Sequence, residues 1–118
     1  MTGESNMSQS LVLKKTDLTA VSLLFEALSN ESRVSILNLL RRGPMNVGEI
    51  SEALGLEQTA VSHNLKCLAF CGLATFEKEG KMRVYELNRE TVEPMLRLAE
   101  RHISKYAENL RDCSSLKR

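Results

Sequence analysis

The side chains best equipped for chemistry are three thiols, Cys67, Cys71 and Cys113, and a short polar series between positions 58 and 66. Cys67 and Cys71 stand four apart. On a helix turning about 100° per residue, that spacing leaves them about 40° from each other, so both sulfurs can point the same way. Thiolates are soft ligands and oxidisable nucleophiles, which makes these cysteines available for metal or redox chemistry. Cysteine is also a small hydrophobe, and simple packing is the competing reading. His63 lies one turn before Cys67, the arrangement of a thiolate and its base. The chain offers neither an oxyanion donor nor a third orienting group, so it is not read as an enzyme.

The same stretch carries a second pattern. On a helix, Val61, Leu65 and Leu68 fall on one face and belong to a core, leaving Thr59, Ser62, His63 and Lys66 on the other. Short hydroxyls, an imidazole and a cation can donate to phosphate oxygens or reach base edges in a groove wide enough for a helix. Gln58 begins the series and can bond adenine or cap the helix. Any exposed helix face is polar, so the reading depends on the elements around it.

The chain is 118 residues, of which 42% are hydrophobic and 26% charged, the composition of one soluble domain. Aromatic residues are only 4% and the formal charge is +1, so helices are favoured and any nucleic-acid contact must come from local placement of charge. No stretch reaches the roughly 18 apolar residues that cross a bilayer, and no leader pattern opens the chain. These features and the odd cysteine count predict a cytoplasmic protein with no membrane contact.

The order of elements follows from periodicity and punctuation. Residues 1–15 read as a flexible lead. From Thr16, the spacing of Leu18, Val21, Leu24, Phe25 and Leu28 predicts a helix with one buried face. Asn30 can cap a second helix that turns Val34, Leu37 and Leu40 inward, with Ile36 and Leu39 widening the stripe, and Gly43-Pro44 ends it. Asn46 and Glu49 have capping-box spacing ahead of a short helix over residues 47–54. Gly55 then allows a turn into a fourth helix beginning near Glu57 or Gln58 and running to Gly72. Helix, glycine turn, helix is the spacing of a helix-turn-helix.

Two short strands, residues 73–78 and 81–87, flank Glu79-Gly80 and predict a hairpin. Its second strand opens on Lys81-Met82-Arg83, setting Lys81 and Arg83 beside the reading helix as backbone-contacting charges; Arg33, Arg41 and Arg42 are candidates to add to them. A last helix, capped by Thr91 with Pro94 in its first turn, carries a stripe from Val92 through Met95, Leu96, Ala99, Ile103, Tyr106, Ala107 and Leu110. That is about 30 Å of apolar surface at 1.5 Å per residue. A domain this small cannot easily cover it, so the stripe and part of the first helix are expected to close a homodimer of twofold symmetry. The fold class predicted is mostly α with a small β-hairpin, about five helices, spanning residues 16–110, with residues 111–118 as a tail.

Several segments resemble one family in particular. Ser32-Arg33-Val34-Ser35-Ile36-Leu37, Val61-Ser62-His63-Asn64-Leu65-Lys66-Cys67-Leu68, Gly72-Leu73 and a hairpin ending Val84-Tyr85-Glu86-Leu87 are similar to the ArsR/SmtB winged helix-turn-helix repressors. The resemblance implies a dimer joined through first and last helices, a pseudo-palindromic double-stranded DNA operator bound by two fourth helices, and release when an inducer, often a metal ion, binds. Sites of the arsenic type resemble a Cys-x-Cys at the start of the third helix, where this chain has Met45-Asn46-Val47-Gly48. Sites of the zinc type resemble an Asp-x-His with a later His and acid; here only Glu100 and His102 stand in that segment.

The run Cys67-Leu68-Ala69-Phe70-Cys71-Gly72-Leu73 is similar to the cadmium- and lead-sensing branch, and the resemblance implies Cys113 as a third sulfur. Such a site would take cadmium, lead, arsenite or zinc as inducer. A repressor that responds to thiol oxidation or to no ligand, and a winged-helix module for protein contact, are the alternatives.

Overall fold

The structure, a computed structural model, describes residues 13–113. The element order is α1 (Lys15–Leu28), α2 (Glu31–Leu40), β1 (Met45–Asn46), α3 (Val47–Leu54), α4 (Gln58–Phe70), β2 (Ala74–Glu79), β3 (Met82–Leu87) and α5 (Val92–Asp112). Among the described residues, the five helices and the hairpin are as expected from the sequence; β1 is an addition. It pairs antiparallel with β3, Met45 facing Tyr85 and Asn46 facing Val84, to give a three-stranded sheet of order β1-β3-β2. Two residues carry no readable alternation of their own, and only pairing with β3 makes them a strand.

The local signals explain most boundaries. The Asn30 side chain accepts from the Arg33 amide at 3.0 Å and starts α2. The capping box of α3 is complete: the Glu49 amide donates to Asn46 Oδ1 at 2.8 Å, and the Asn46 amide donates to Glu49 Oε1 at 2.9 Å. Gly55 takes φ 67° at the end of α3, a backbone state costly for any residue with a Cβ. Thr91 occupies the N-cap of α5 but makes no side-chain cap bond, contrary to expectation. Its backbone is already helical (φ −108°, ψ −37°), which is not the extended state a capping hydroxyl needs.

Other limits shift by a residue or two. α1 begins at Lys15; α4 ends at Phe70 with Cys71 as its C-cap; α5 runs through Asp112, taking in the start of the segment read as a tail. The rest of the expected lead, residues 1–12, and of the tail, residues 114–118, lies outside the described residues.

The core sits where α2, α3 and α4 meet the inner face of the sheet. Ile36, Leu37, Leu40, Ile50, Val61, Leu65, Leu68, Tyr85 and Val92 are fully buried. The buried face expected of α1 is not covered within one chain. Only Ala27 is buried there, Leu24 and Leu28 pack at the edge of the core, and Leu18 and Phe25 stay 52% and 62% exposed. Along α5 the stripe goes under only at its start. Val92 is buried and Met95 and Leu96 pack against the core, whereas Leu98, Ile103, Tyr106 and Leu110 stay exposed. The helix also departs from regular geometry at Tyr106 (φ −121°, ψ 18°).

Candidate nucleic-acid interface

α4 is held to the body by Val61, Leu65 and Leu68, and this fixes where every other side chain on it points. The face turned toward the hairpin carries Gln58, Ser62 and Lys66, one turn apart. Together with Lys81 and Arg83 of the hairpin and Asn46, Val47 and Gly48 at the start of α3, they line a groove of about 560 Å³. The hairpin closes in two residues, Gly80 (φ 66°) and Lys81, between the pair Glu79 and Met82, so Lys81 is carried at its tip. Five of the seven residues expected to contact DNA therefore share one concave surface. Thr59 and His63 are exposed on the same helix, further round and outside the groove. Gln58 is the first helical residue and Glu57 the N-cap, so the Gln58 amide is not a cap.

Asn46 and Gly48 were not read as groove residues, because the sequence signal there is a helix cap. What brings them in is β1, which ties the start of α3 to the hairpin. A Cβ placed on Gly48 would lie 3.4 Å from Asn46 Oδ1 and 4.0 Å from Gln58 Nε2, so α3 and α4 approach closely at this point.

The arginines sort differently from expectation. Arg33 donates through Nε to the Ala27 carbonyl at 2.6 Å and closes the end of α1. Arg41 is spent within the fold. It donates to both oxygens of Glu93 (3.1 and 3.0 Å), to both of Glu100 (2.8 and 3.3 Å) and to Asn38 Oδ1 (3.1 Å). A guanidinium saturated in this way has nothing left for a phosphate. Arg42 remains exposed.

The thiols lie elsewhere on α4, about 160° round the helix from the groove side at 100° per residue. Cys67 is half-buried and Cys71 exposed, both free thiols. Burial by its neighbours pushes the Cys71 thiol up, and the charge of Cys67 and a hydrogen bond with it push the same way, while Arg33 opposes. The two sulfurs are thus close to each other and to the junction of α1 and α2. Cys113, at the C-cap of α5, is half-buried. Among the described residues of one chain, no three His, Cys, Asp or Glu side chains converge as metal ligands, so the fold does not bring Cys113 to the other two within a protomer. Glu100 is held by Arg41, and the His102 ring stacks on Tyr106 at 4.7 Å, which accounts for both residues of the half zinc-type pattern.

A family profile described as "Bacterial regulatory protein, arsR family" matches residues 30–75, from the cap of α2 into β2. The transcriptional activator HlyU of Vibrio cholerae is 37% identical over 89 residues, covering 75% of this chain and 82% of its own. The cadmium resistance regulatory protein CadC homolog of Staphylococcus aureus is 32% identical over 91 residues, covering 76% and 75%. Another relative is spanned over only 56% of its length. Among solved structures, the homodimeric winged helix-turn-helix domain of Mb0332 from Mycobacterium bovis superposes with a TM-score of 0.71 at 31% identity, covering 80% of this chain and 87% of that one. Among the described residues, no helix is long and apolar enough to cross a membrane. With a reading helix set beside a basic wing, and relatives of this identity along most of their length, the chain belongs to the ArsR family of bacterial regulatory proteins.

Proposed function

We propose that this DNA-binding regulator works in the cytoplasm as a homodimeric repressor. It presents two copies of α4 to a pseudo-palindromic operator and lets go when a thiophilic ion engages its cysteines. The observation that carries the DNA reading is the shared groove, where Gln58, Ser62 and Lys66 of one element meet Lys81 and Arg83 of another. Phosphate contacts set register and base contacts set sequence, and this surface supplies donors for both. Half-sites about 34 to 36 Å apart, one turn of duplex, are what a twofold pair of reading helices requires.

The donor set fits a soft ion. Cys67 and Cys71 are neighbours on one face, and Cys113, donated across the twofold axis, would supply the third sulfur. Such an ion would bind thiolates and displace their protons. Its position at the far flank of α4 suits it to shift that helix against α1 and α2, and a coupling of about 1 to 3 kcal/mol changes operator affinity about 5- to 150-fold.

Fluorescence anisotropy with the duplex upstream of its own coding region tests the DNA reading. Affinity should fall steeply with salt, and Ser62→Ala with His63→Ala should abolish binding while leaving the dimer intact. A dimer with no affinity for any duplex refutes it. Cadmium, lead, arsenite, zinc and peroxide, titrated into the complex with parent, Cys67→Ser, Cys71→Ser and Cys113→Ser proteins, test the sensing. Identical responses from all four refute the thiol site, and a response to peroxide alone makes the switch oxidative.

A second reading, a module for protein contact, is favoured by Phe70, a large apolar ring 93% exposed at the end of α4. Its mark would be a protein that competes for the face from Thr59 to Lys66.

A further inference from the structure

The hairpin contains an aromatic pair with no part in the core beyond one of its rings. Phe76 on β2 and Tyr85 on β3 are in register, their ring centroids 5.3 Å apart and tilted by 43°. Tyr85 is 2% exposed and so fixed, while Phe76 is 39% exposed, an apolar ring left in solvent on a strand otherwise of Thr, Glu and Lys beyond Ala74. The Arg83 guanidinium carbon lies 4.5 Å from the centre of the Phe76 ring. Arg83 also lines the groove with Lys66 and Lys81.

The residue directly across the ladder from Arg83 is Lys78, a like charge that repels it. Among the described residues no carboxylate forms an ion pair with Arg83. Its diagonal neighbour, the π face of Phe76, is therefore what holds the side chain, and that ring is itself braced by buried Tyr85. An arginine restrained in this way loses less conformational freedom when it meets a phosphate than one that must be ordered on arrival.

Resting on the DNA-binding reading above, we infer that Phe76 is a positioning residue for operator binding: stacked between Tyr85 and Arg83, it holds the Arg83 guanidinium at the groove beside α4.

The test compares Phe76→Leu, which keeps an apolar side chain on Tyr85 but removes the π face, with Phe76→Tyr, which retains it. Each is measured alone and with Arg83→Ala for duplex affinity by anisotropy over a salt series. Phe76→Leu should bind about two- to five-fold more weakly, the range expected of an exposed cation–π contact, with Phe76→Tyr close to the parent. In the Arg83→Ala background, Phe76→Leu should have no further effect. NMR of the free protein adds a readout without DNA: the Arg83 side-chain protons should carry an upfield ring-current shift, kept in Phe76→Tyr and lost in Phe76→Leu.

Parent-like affinity of Phe76→Leu overturns the inference. So does an equal loss with Arg83 already removed, or an unshifted Arg83 in the parent. A parent that shows the ring-current shift yet binds no duplex refutes the DNA reading itself, a result distinct from a parent that binds while Phe76→Leu matches it.

Discussion

At the scale of single residues, the groove divides its side chains by what each can donate. Lys66 and Lys81 are point charges, so Lys66→Ala or Lys81→Ala should weaken binding to any duplex and lower the salt slope by about one each, read from log affinity against log salt. Gln58 can form a paired contact with an adenine edge, and Gln58→Ala should cost about 1 to 3 kcal/mol on the operator while barely changing a scrambled duplex. The Cys71 thiol, raised by its surroundings and by Cys67, should alkylate with a pH midpoint above that of an ordinary thiol. Cys67→Ser should move that midpoint down, and a midpoint unmoved would show that burial alone sets it. The identities and spacing of these residues were legible in the sequence because a helix converts spacing into direction. Asn46 and Gly48 were not, because their place in the groove depends on strand pairing across about forty residues of chain. The fate of Arg41 was hidden for the same reason, since arginine reads alike whether it meets solvent or two glutamates 52 and 59 residues away; Arg33 bonds a carbonyl only six residues back, a contact that no side-chain pattern marks.

At the scale of elements, two devices fix the helices around the reading helix, which is itself held by Val61, Leu65 and Leu68. The first is the capping box that starts α3; Asn46→Ala removes the bond to the Glu49 amide and should cost about 1 kcal/mol in urea unfolding. The second is the clamp of Arg41 on Glu93 and Glu100, which joins the end of α2 to α5. Hydrogen bonding to the Arg41 guanidinium holds both carboxyls below the usual range. A carboxylate lowered in the folded state stabilises above its unfolded value, and that contribution fades as pH drops through the folded one. Unfolding at neutral and at acid pH should therefore show a loss of stability on the acid side that is shallower in Glu93→Gln and in Arg41→Ala than in the parent. Helix starts at Asn30 and Asn46 were readable because the cap residue bonds within three positions of itself. The clamp spans 52 and 59 residues, and no local pattern announces it.

At the scale of the whole molecule, a single chain is incomplete. Its radius of gyration is 17.2 Å, whereas a compact chain of this length has about 13 Å. The excess reflects α1 and α5 standing away from the core with Leu18, Leu23, Phe25, Leu98, Ile103 and Leu110 all at least 40% exposed. Two such faces within one small domain call for a second copy, in keeping with the homodimer described for Mb0332. Phe25→Glu or Ile103→Glu should shift sedimentation from dimer to monomer and abolish operator binding, since one subunit spans only one half-site. A charged variant that remains dimeric would place the subunit contact elsewhere. The stripe on α5 was readable from its period, and so was the need for a second copy to cover it and part of α1; how much of α1 is left open was not, because an apolar face looks the same whether its own chain or another buries it.

By itself the sequence determined the helices, the hairpin and the outward face of α4, because caps, turns and a 3.6-residue period act over a few positions and need no distant partner. Only the tertiary structure decided which basic residues stay available, that β1 draws the start of α3 into the groove, and that Cys113 does not reach Cys67 and Cys71 within one chain. Those outcomes depend on which surfaces meet after folding, and pairing across dozens of residues leaves no periodic trace along the chain.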